Sequence, residues 1–134
     1  MSAGLLMAAS GCVPEEATPA NVNLRPVEFS LAGAIDHTAG QAEQYCPPPS
    51  QGGVSFIAKE WGGDEVRYTL TIANVNDERS AELVDHGSNE RYVTTSGAGI
   101  DTDPVAGVAR LDAELSKATG GPGSLHVKAV ITCE

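Results

Sequence analysis

The chain has 134 residues, of which 8 are Lys or Arg and 18 are Asp or Glu, so its formal net charge is −10. This length suffices for one folded domain with one hydrophobic core but not for two. The negative charge repels phosphate backbones, which argues against nucleic acid as a partner. Aromatic residues make up only 4% of the chain, whereas Gly and Pro number 15 and 8. This composition favours a small, turn-rich β protein.

The N-terminal segment is uncharged over its first 14 residues and includes an apolar run at residues 5–9. A membrane-spanning helix needs about 20 apolar residues, so this run is too short to span but suits the apolar part of a signal peptide. The segment ends in Ser10-Gly11-Cys12, which resembles the lipobox of bacterial lipoproteins. This resemblance implies that Cys12 is lipidated and becomes the mature N-terminus. A tail with a chance cysteine is the alternative.

The lipobox divides the chain into three predicted segments. Residues 1–11 are a signal peptide, for which we expect a start codon upstream of Met1 because no Lys or Arg precedes the apolar run. Residues 12–22 hold the lipidated cysteine and a flexible tether with two Pro and two Glu. Residues 23–134 form the β domain. The protein is therefore expected outside the cytoplasm, attached to the bacterial cell membrane by lipid.

The three cysteines are Cys12, Cys46 and Cys133. An odd number in an extracytoplasmic protein leaves one thiol over unless it has another use. If Cys12 carries lipid, Cys46 and Cys133 are available for a disulfide that closes most of the domain. Two separate buried thiols are the alternative.

Alternation of apolar and polar residues, the period of half-buried strands, recurs along the domain. The clearest segments are 27–31, 54–61, 66–74, 109–115 and 125–133, with weaker strands at 41–46 and 91–96. A short connection containing Gly62-Gly63 predicts that 54–61 and 66–74 form a hairpin. Residues 81–84 are a short strand or a single helical turn, and residues 97–104 are a loop. About seven to eight short strands predict an all-β fold, either an antiparallel β-sandwich or a partly open barrel.

Several of these features together resemble the small secreted lipoproteins of actinobacteria, including the mycobacterial 19-kilodalton lipoprotein antigen family. They are the lipobox cysteine, the tether with Pro and Thr, a cysteine after the opening strand, and a last strand that ends in Val130-Ile131-Thr132-Cys133. The stretches 68–72 and 111–115 are similar as well. The resemblance implies a surface-displayed β domain whose two cysteines pair, and it brings no catalytic residues.

Catalytic and cofactor-binding motifs are absent from the sequence, including Gly-x-Ser-x-Gly, His-Glu-x-x-His and the phosphate-binding glycine loop. His37 and His86 are predicted in turns and His126 on the polar face of the last strand, so we expect no metal site. Asp101 and Asp103 lack the ligand spacing of a calcium loop and are predicted in a solvated acidic loop. We therefore predict a protein that is not an enzyme and has no catalytic residue, metal or cofactor.

Trp61 is the one candidate ligand-binding residue. It lies beside Gly62-Gly63 at a predicted hairpin end, where an exposed indole can stack on a sugar or an apolar ligand. The alternative is that the indole covers the open end of the domain.

Two functions are compatible with these observations. The first is a monomeric, non-catalytic display domain of a cell-envelope lipoprotein, which serves adhesion or binds an envelope lipid, glycan or protein. The second is a lipid- or carbohydrate-binding module with a cavity between its sheets. A carrier needs an unfilled cavity, whereas a display domain packs solid.

Overall fold

The computed structural model describes residues 19–46 and 53–133, and every regular element within them is a β-strand. The strands are β1 (Leu24–Gly33), β2 (His37–Tyr45), β3 (Gly53–Gly62), β4 (Glu65–Val75), β5 (Glu78–Asp85), β6 (Glu90–Val93), β7 (Ile100–Asp103), β8 (Val108–Lys117) and β9 (Ser124–Thr132). The predicted all-β class is confirmed. Residues 81–84, for which two conformations were open, belong to strand β5.

Eight of the strands form a closed antiparallel barrel. Strands β1 to β6 are neighbours in chain order, β8 pairs with β6, and β9 lies between β8 and β1. Of the two predicted architectures the barrel is observed, and it is closed. The closing seam is short, because β6 and β8 pair only through Tyr92 with Lys117 and Val93 with Ser116.

Strand β7 shows that the loop predicted over residues 97–104 is wrong. It pairs with the first half of β8, from Ile100 opposite Leu111 to Asp103 opposite Val108. Strand β6 reaches only the last residues of β8, so β7 covers an edge that would otherwise be unpaired. Unpaired strand edges invite pairing with other chains, which gives β7 a physical reason to form.

The side of β7 away from β8 faces the first half of β5 and the end of β4. Side-chain hydrogen bonds join β7 to both strands. Arg79 Nη1 donates a hydrogen bond to the carbonyl oxygen of Ile100 at 2.9 Å. Asn74 Nδ2 donates to Thr102 Oγ1 at 3.1 Å. The Ile100 side chain is buried. Strand β7 therefore completes the wall where β6 ends.

Side chains from every barrel strand fill the interior, as an eight-stranded barrel of this size allows. The largest fully buried ones are Phe29, Phe56, Leu70, Ile72, Leu83, Leu111, Leu115, Leu125, Val127 and Ile131. Burial of one such side chain contributes about 1.5–3 kcal/mol. The barrel is thus held by a packed core.

The two ends of the barrel differ. The connections β1–β2, β3–β4, β5–β6 and β8–β9 all lie at one end, which we call the hairpin end. Strand β1 begins, and β2 and β9 end, at the opposite end, which we call the disulfide end. The predicted hairpin of β3 and β4 is confirmed, with Gly62 opposite Glu65.

The disulfide end is joined by Cys46 and Cys133, whose Cα atoms are 5.9 Å apart. The predicted pairing is therefore the one observed. Strand β1 pairs with β9 only from Glu28 onward, which leaves the start of β1 unpaired with β9. Gln44 spans this gap, since its Nε2 donates to the Pro26 carbonyl oxygen and its Oε1 accepts from the Thr132 N–H. The disulfide and Gln44 together tie β1, β2 and β9.

Removal of the disulfide by the double substitution Cys46→Ala and Cys133→Ala should lower the free energy of unfolding by about 4 kcal/mol. The bond joins residues 87 positions apart, and a cross-link over so long a loop restricts the unfolded chain strongly. Urea denaturation followed by circular dichroism measures the change. A loss below about 1 kcal/mol would show that the core alone holds the barrel.

Candidate functional site

Trp61 lies on the outer wall of the barrel near the hairpin end. Ala58 is buried in the core, so the alternating position Lys59 points outward, and Trp61 follows two residues later on the same strand. The indole Nε1–H donates a hydrogen bond to Glu43 Oε1 at 3.0 Å. Glu43 is itself an outward position of β2, directly opposite Lys59. The indole is therefore half-buried against the wall of the barrel.

A β-bulge sets the position of the indole. The register of β3 and β4 shifts between Glu60 and Trp61, because Glu60 lies opposite Tyr68 and Trp61 lies opposite Val66. The extra residue in β4 is Arg67, whose guanidinium lies against Gly62. Bulges re-aim side chains at strand ends. Next to this bulge, the indole of Trp61 points back toward Glu43, which lies opposite Lys59 rather than opposite Trp61 itself.

Tyr45 shares the same carboxylate. Its hydroxyl donates to Glu43 Oε2 at 2.9 Å, so each oxygen of Glu43 holds one aromatic side chain. Lys59 Nζ lies 5.1 Å from the centre of the Tyr45 ring, within cation–π range. Tyr45 is 40% exposed. We call these four residues, Glu43, Tyr45, Lys59 and Trp61, the Trp61 face.

The sequence analysis named Trp61 as a candidate ligand-binding residue but did not identify its neighbours Glu43 and Tyr45. Strand β2 gives a weak pattern, and nothing local indicates that its acidic residue meets a tryptophan 18 positions away. The available signal was the alternation of Gln41, Glu43 and Tyr45, which predicts one outward face.

A cleft of about 310 Å³ continues the Trp61 face toward the disulfide end. Its lining includes Glu43, Gln44 and Tyr45 together with Arg25, Thr132 and the Cys46–Cys133 disulfide. A ligand that rests on the aromatic pair therefore has room to extend along the barrel wall.

The Glu43 carboxylate changes the acidity of the Tyr45 hydroxyl. The pKa of Tyr45 is raised above its ordinary value, first by the hydrogen bond to Glu43, then by burial and by the negative charge of Glu43. The neutral phenol is the form that binds Glu43. This hydrogen bond therefore stabilises the fold below the ordinary pKa of tyrosine and is lost as the pH rises through the raised pKa.

The three histidines lie apart and each has its own neighbours. His86, in a turn as predicted, has Nε2 2.8 Å from Thr69 Oγ1. His126 lies between Asp112 and Glu114, at 2.6 Å and 3.0 Å, and these hydrogen bonds raise its pKa. The turn predicted at His37 is wrong, since β2 begins at this residue, which pairs with Leu31.

The predicted acidic loop is likewise part of regular structure. Asp101 and Asp103 belong to β7, where Asp101 forms an ion pair with Arg110 at 3.7 Å. Asp103 Oδ1 accepts the Ala106 N–H and shapes the turn after the strand. Among residues 19–46 and 53–133, no group of three or more His, Cys, Asp or Glu is placed to hold a metal ion.

The lipidation site predicted at Cys12 lies outside the described residues. None of the described residues forms a helix with the length and apolarity that crossing a membrane requires.

Substitution Glu43→Gln should move the titration of Tyr45 to lower pH. The amide still accepts a hydrogen bond but carries no charge to oppose the phenolate. Tyrosinate absorbance followed against pH measures the shift, and Tyr45→Phe identifies the transition that belongs to this residue. Glu28→Gln, an exposed change on β1, is the control and should leave the profile unchanged. An identical profile for Glu43→Gln and the parent would contradict the assignment.

Comparison with known proteins yields no relative: no protein-family model, no curated protein and no solved structure matches the chain. Function is therefore inferred from the geometry of the described residues.

Proposed function

We propose that this chain is a bacterial cell-envelope lipoprotein, anchored by lipid on Cys12, whose non-catalytic β-barrel is displayed outside the membrane and binds an envelope glycan at the Trp61 face. The observation that carries the proposal is the pair of aromatic side chains held by the two oxygens of Glu43 on an outward wall.

The chemistry of the Trp61 face suits a sugar. A sugar ring presents an apolar C–H face that packs on an aromatic ring, and its hydroxyl groups need donors and acceptors around the edge of that ring. An ionised carboxylate has about four acceptor positions, of which Trp61 and Tyr45 take one each. Glu43 and Lys59 therefore retain capacity for sugar hydroxyls beside the rings.

Rigidity of the face supports binding as well. Trp61 and Tyr45 are held before a ligand arrives, so less side-chain freedom is lost on association. Strands β2 and β3 carry all four residues, and these strands belong to the closed barrel. A site on strands is positioned more accurately than one on loops.

The packed interior favours this proposal over a lipid or sugar carrier with an internal cavity. Large apolar side chains from opposite walls occupy the barrel, and four clefts formed by the described residues have linings that include exposed, outward positions. A carrier needs unfilled space at its centre. The outer wall is the better-supported location for a ligand.

The positions of the strand ends suit attachment through the N-terminal segment. Strand β1 begins at the disulfide end, so a tether at residues 12–22 joins the barrel there, and the hairpin end faces away from the membrane. In the described part of this segment, the Val22 N–H donates a hydrogen bond to the Pro19 carbonyl oxygen and closes a turn just before β1. The net charge of −10 repels anionic lipid headgroups and keeps the domain off the bilayer.

The anchor is tested by expression of the full chain in a bacterial host. We expect the protein in the membrane fraction, with a mass that includes a diacylglyceryl group on Cys12. Cys12→Ala should release it from the membrane without a change in the barrel, because Cys46 and Cys133 pair with each other. An unmodified Cys12 in the membrane fraction would overturn lipidation.

Glycan binding is tested by calorimetry with fragments of peptidoglycan and other envelope polysaccharides. Trp61→Ala should weaken binding about tenfold, because a stacked ring contributes on the order of 1 kcal/mol beyond its buried area. Trp61→Phe should retain part of the affinity. Val105→Ala, an exposed apolar residue in the turn after β7, is the matched control and should bind like the parent. Equal affinities of Trp61→Ala and Val105→Ala would remove the Trp61 face as the site.

A further inference from the structure

The cleft beside the Trp61 face opens where β1 and β9 part. Strand β1 pairs with β9 only from Glu28 onward, so the first residues of β1 are not paired with the end of β9. Arg25 lines the cleft from β1, and Thr132 lines it from β9. Tyr45 of the Trp61 face lines it as well. The cleft and the Trp61 face therefore form one continuous surface.

Arg25 is the one basic side chain among the described residues that line this cleft, and Glu43 is the one acidic side chain. The two oxygens of Glu43 already accept hydrogen bonds from Trp61 and Tyr45. Lys59 lies directly opposite Glu43 on the neighbouring strand and offsets its negative charge. Across the cleft and the Trp61 face, two positive side chains therefore stand against one negative side chain.

This local charge is opposite in sign to that of the whole chain, whose net charge is −10. The chain has only 8 Lys and Arg residues, and two of them border this one surface. Others are engaged elsewhere in the fold, where Arg79 binds a backbone carbonyl and Arg91 and Arg110 form ion pairs. The surface beside the aromatic pair therefore attracts a negative ligand group that the chain as a whole repels.

The guanidinium of Arg25 suits a carboxylate. It is planar, and its N–H groups form a fork that matches the two oxygens of a carboxylate. It has five donors, so Arg25 can bind a carboxylate and also keep the interaction that it makes within the protein. The Arg25 side chain is half-buried, and a charge-assisted hydrogen bond is stronger where water is partly excluded. Asn23 and Thr132 add an amide and a hydroxyl group to the same lining.

The walls of the cleft are fixed before a ligand arrives. Gln44 donates to the Pro26 carbonyl oxygen and accepts from the Thr132 N–H, which ties β2 to β1 and β9. The disulfide joins Cys46 to Cys133 at the same place. Less conformational freedom is therefore lost when a ligand group enters the cleft.

We propose that the glycan bound at the Trp61 face is acidic, and that Arg25 binds its carboxylate in the cleft while a sugar ring packs on Trp61 and Tyr45. This inference rests on the proposed function and adds the chemical class of the ligand. The carboxylate belongs to a sugar acid, in which it is attached to the ring, as in a uronic acid, or carried on an ether side chain, as in muramic acid. Arg25 is then the residue that distinguishes acidic from neutral glycans.

The test is calorimetric titration of the full-length protein with two acidic ligands, an oligoglucuronide and the disaccharide of N-acetylglucosamine and N-acetylmuramic acid. Each ligand is compared with its methyl ester, which keeps the sugar rings but removes the charge. At least one acid should bind about tenfold more tightly than its ester, because the ester loses the charge-assisted contact with Arg25. The pair that shows this preference identifies where the carboxylate is attached. The preference should decrease as the ionic strength rises.

Substitution Arg25→Gln should weaken binding of the preferred acid about tenfold and leave binding of its ester nearly unchanged. Arg25→Lys keeps the charge but not the fork, so it should retain part of the preference. Arg110→Gln is the matched control, since it removes the same charge from an exposed position on β8 and should preserve the preference. Circular dichroism should verify that each variant is folded. The comparison of acid and ester on the parent protein needs no variant.

The outcomes separate this inference from the proposed function. Equal affinities of acid and ester for the parent protein, with both weakened by Trp61→Ala, would overturn the inference and leave the glycan site in place. An unchanged preference in Arg25→Gln would also overturn it. Binding of neither form would remove the proposed function and the inference with it. A preference for the acid has no origin in the overall charge, because a chain of net charge −10 repels every anion.

Discussion

Closure of the barrel between β6 and β8 is the constraint on which the rest of the structure depends. Two residue pairs and one further hydrogen bond, from the Ala118 N–H to the Arg91 carbonyl oxygen, form this seam, yet they turn an open sheet into a cylinder with one inside and one outside. Every strand must then send alternate side chains into a shared core. Because that core is filled, a ligand has space only on the outer wall or at the two ends of the barrel. Strand β7 covers the part of β8 that β6 does not reach. Gly99, just before β7, lets the two backbones approach closely, since an added Cβ would lie 2.2 Å from the Asp112 carbonyl oxygen of β8.

The sequence predicted well those elements whose signal is local. Strand β4 alternates cleanly from Val66 to Asn74, and the glycines before it indicated its hairpin with β3. Strand β7 was missed because it has one large apolar residue, Ile100, and forms only against an edge that β6 leaves free. The choice between sandwich and closed barrel was open for a similar reason. It depends on pairs that are distant in the chain, and no local pattern encodes them.

The candidate site was predicted in part. Trp61 was found from its type and its place beside two glycines, but its partner Glu43 depends on a bulge that shifts the register between β3 and β4. Glu60 was hidden in a similar way, since it occupies an inward position where alternation predicts an apolar residue, and its ion-pair partner His37 lies on the neighbouring strand β2.

Pairing of β1 with β9 has a consequence for how the chain reaches its native state. Phe29 lies opposite Ala129, so the first strand cannot find its second neighbour until nearly the whole domain has been made. Contacts between such distant residues form slowly, and free strand edges meanwhile favour association between chains. The disulfide between Cys46 and Cys133 joins the end of β2 to the end of β9, which are 87 positions apart in the chain. The stage before β9 pairs with β1 is therefore the one at which this protein is most exposed to aggregation.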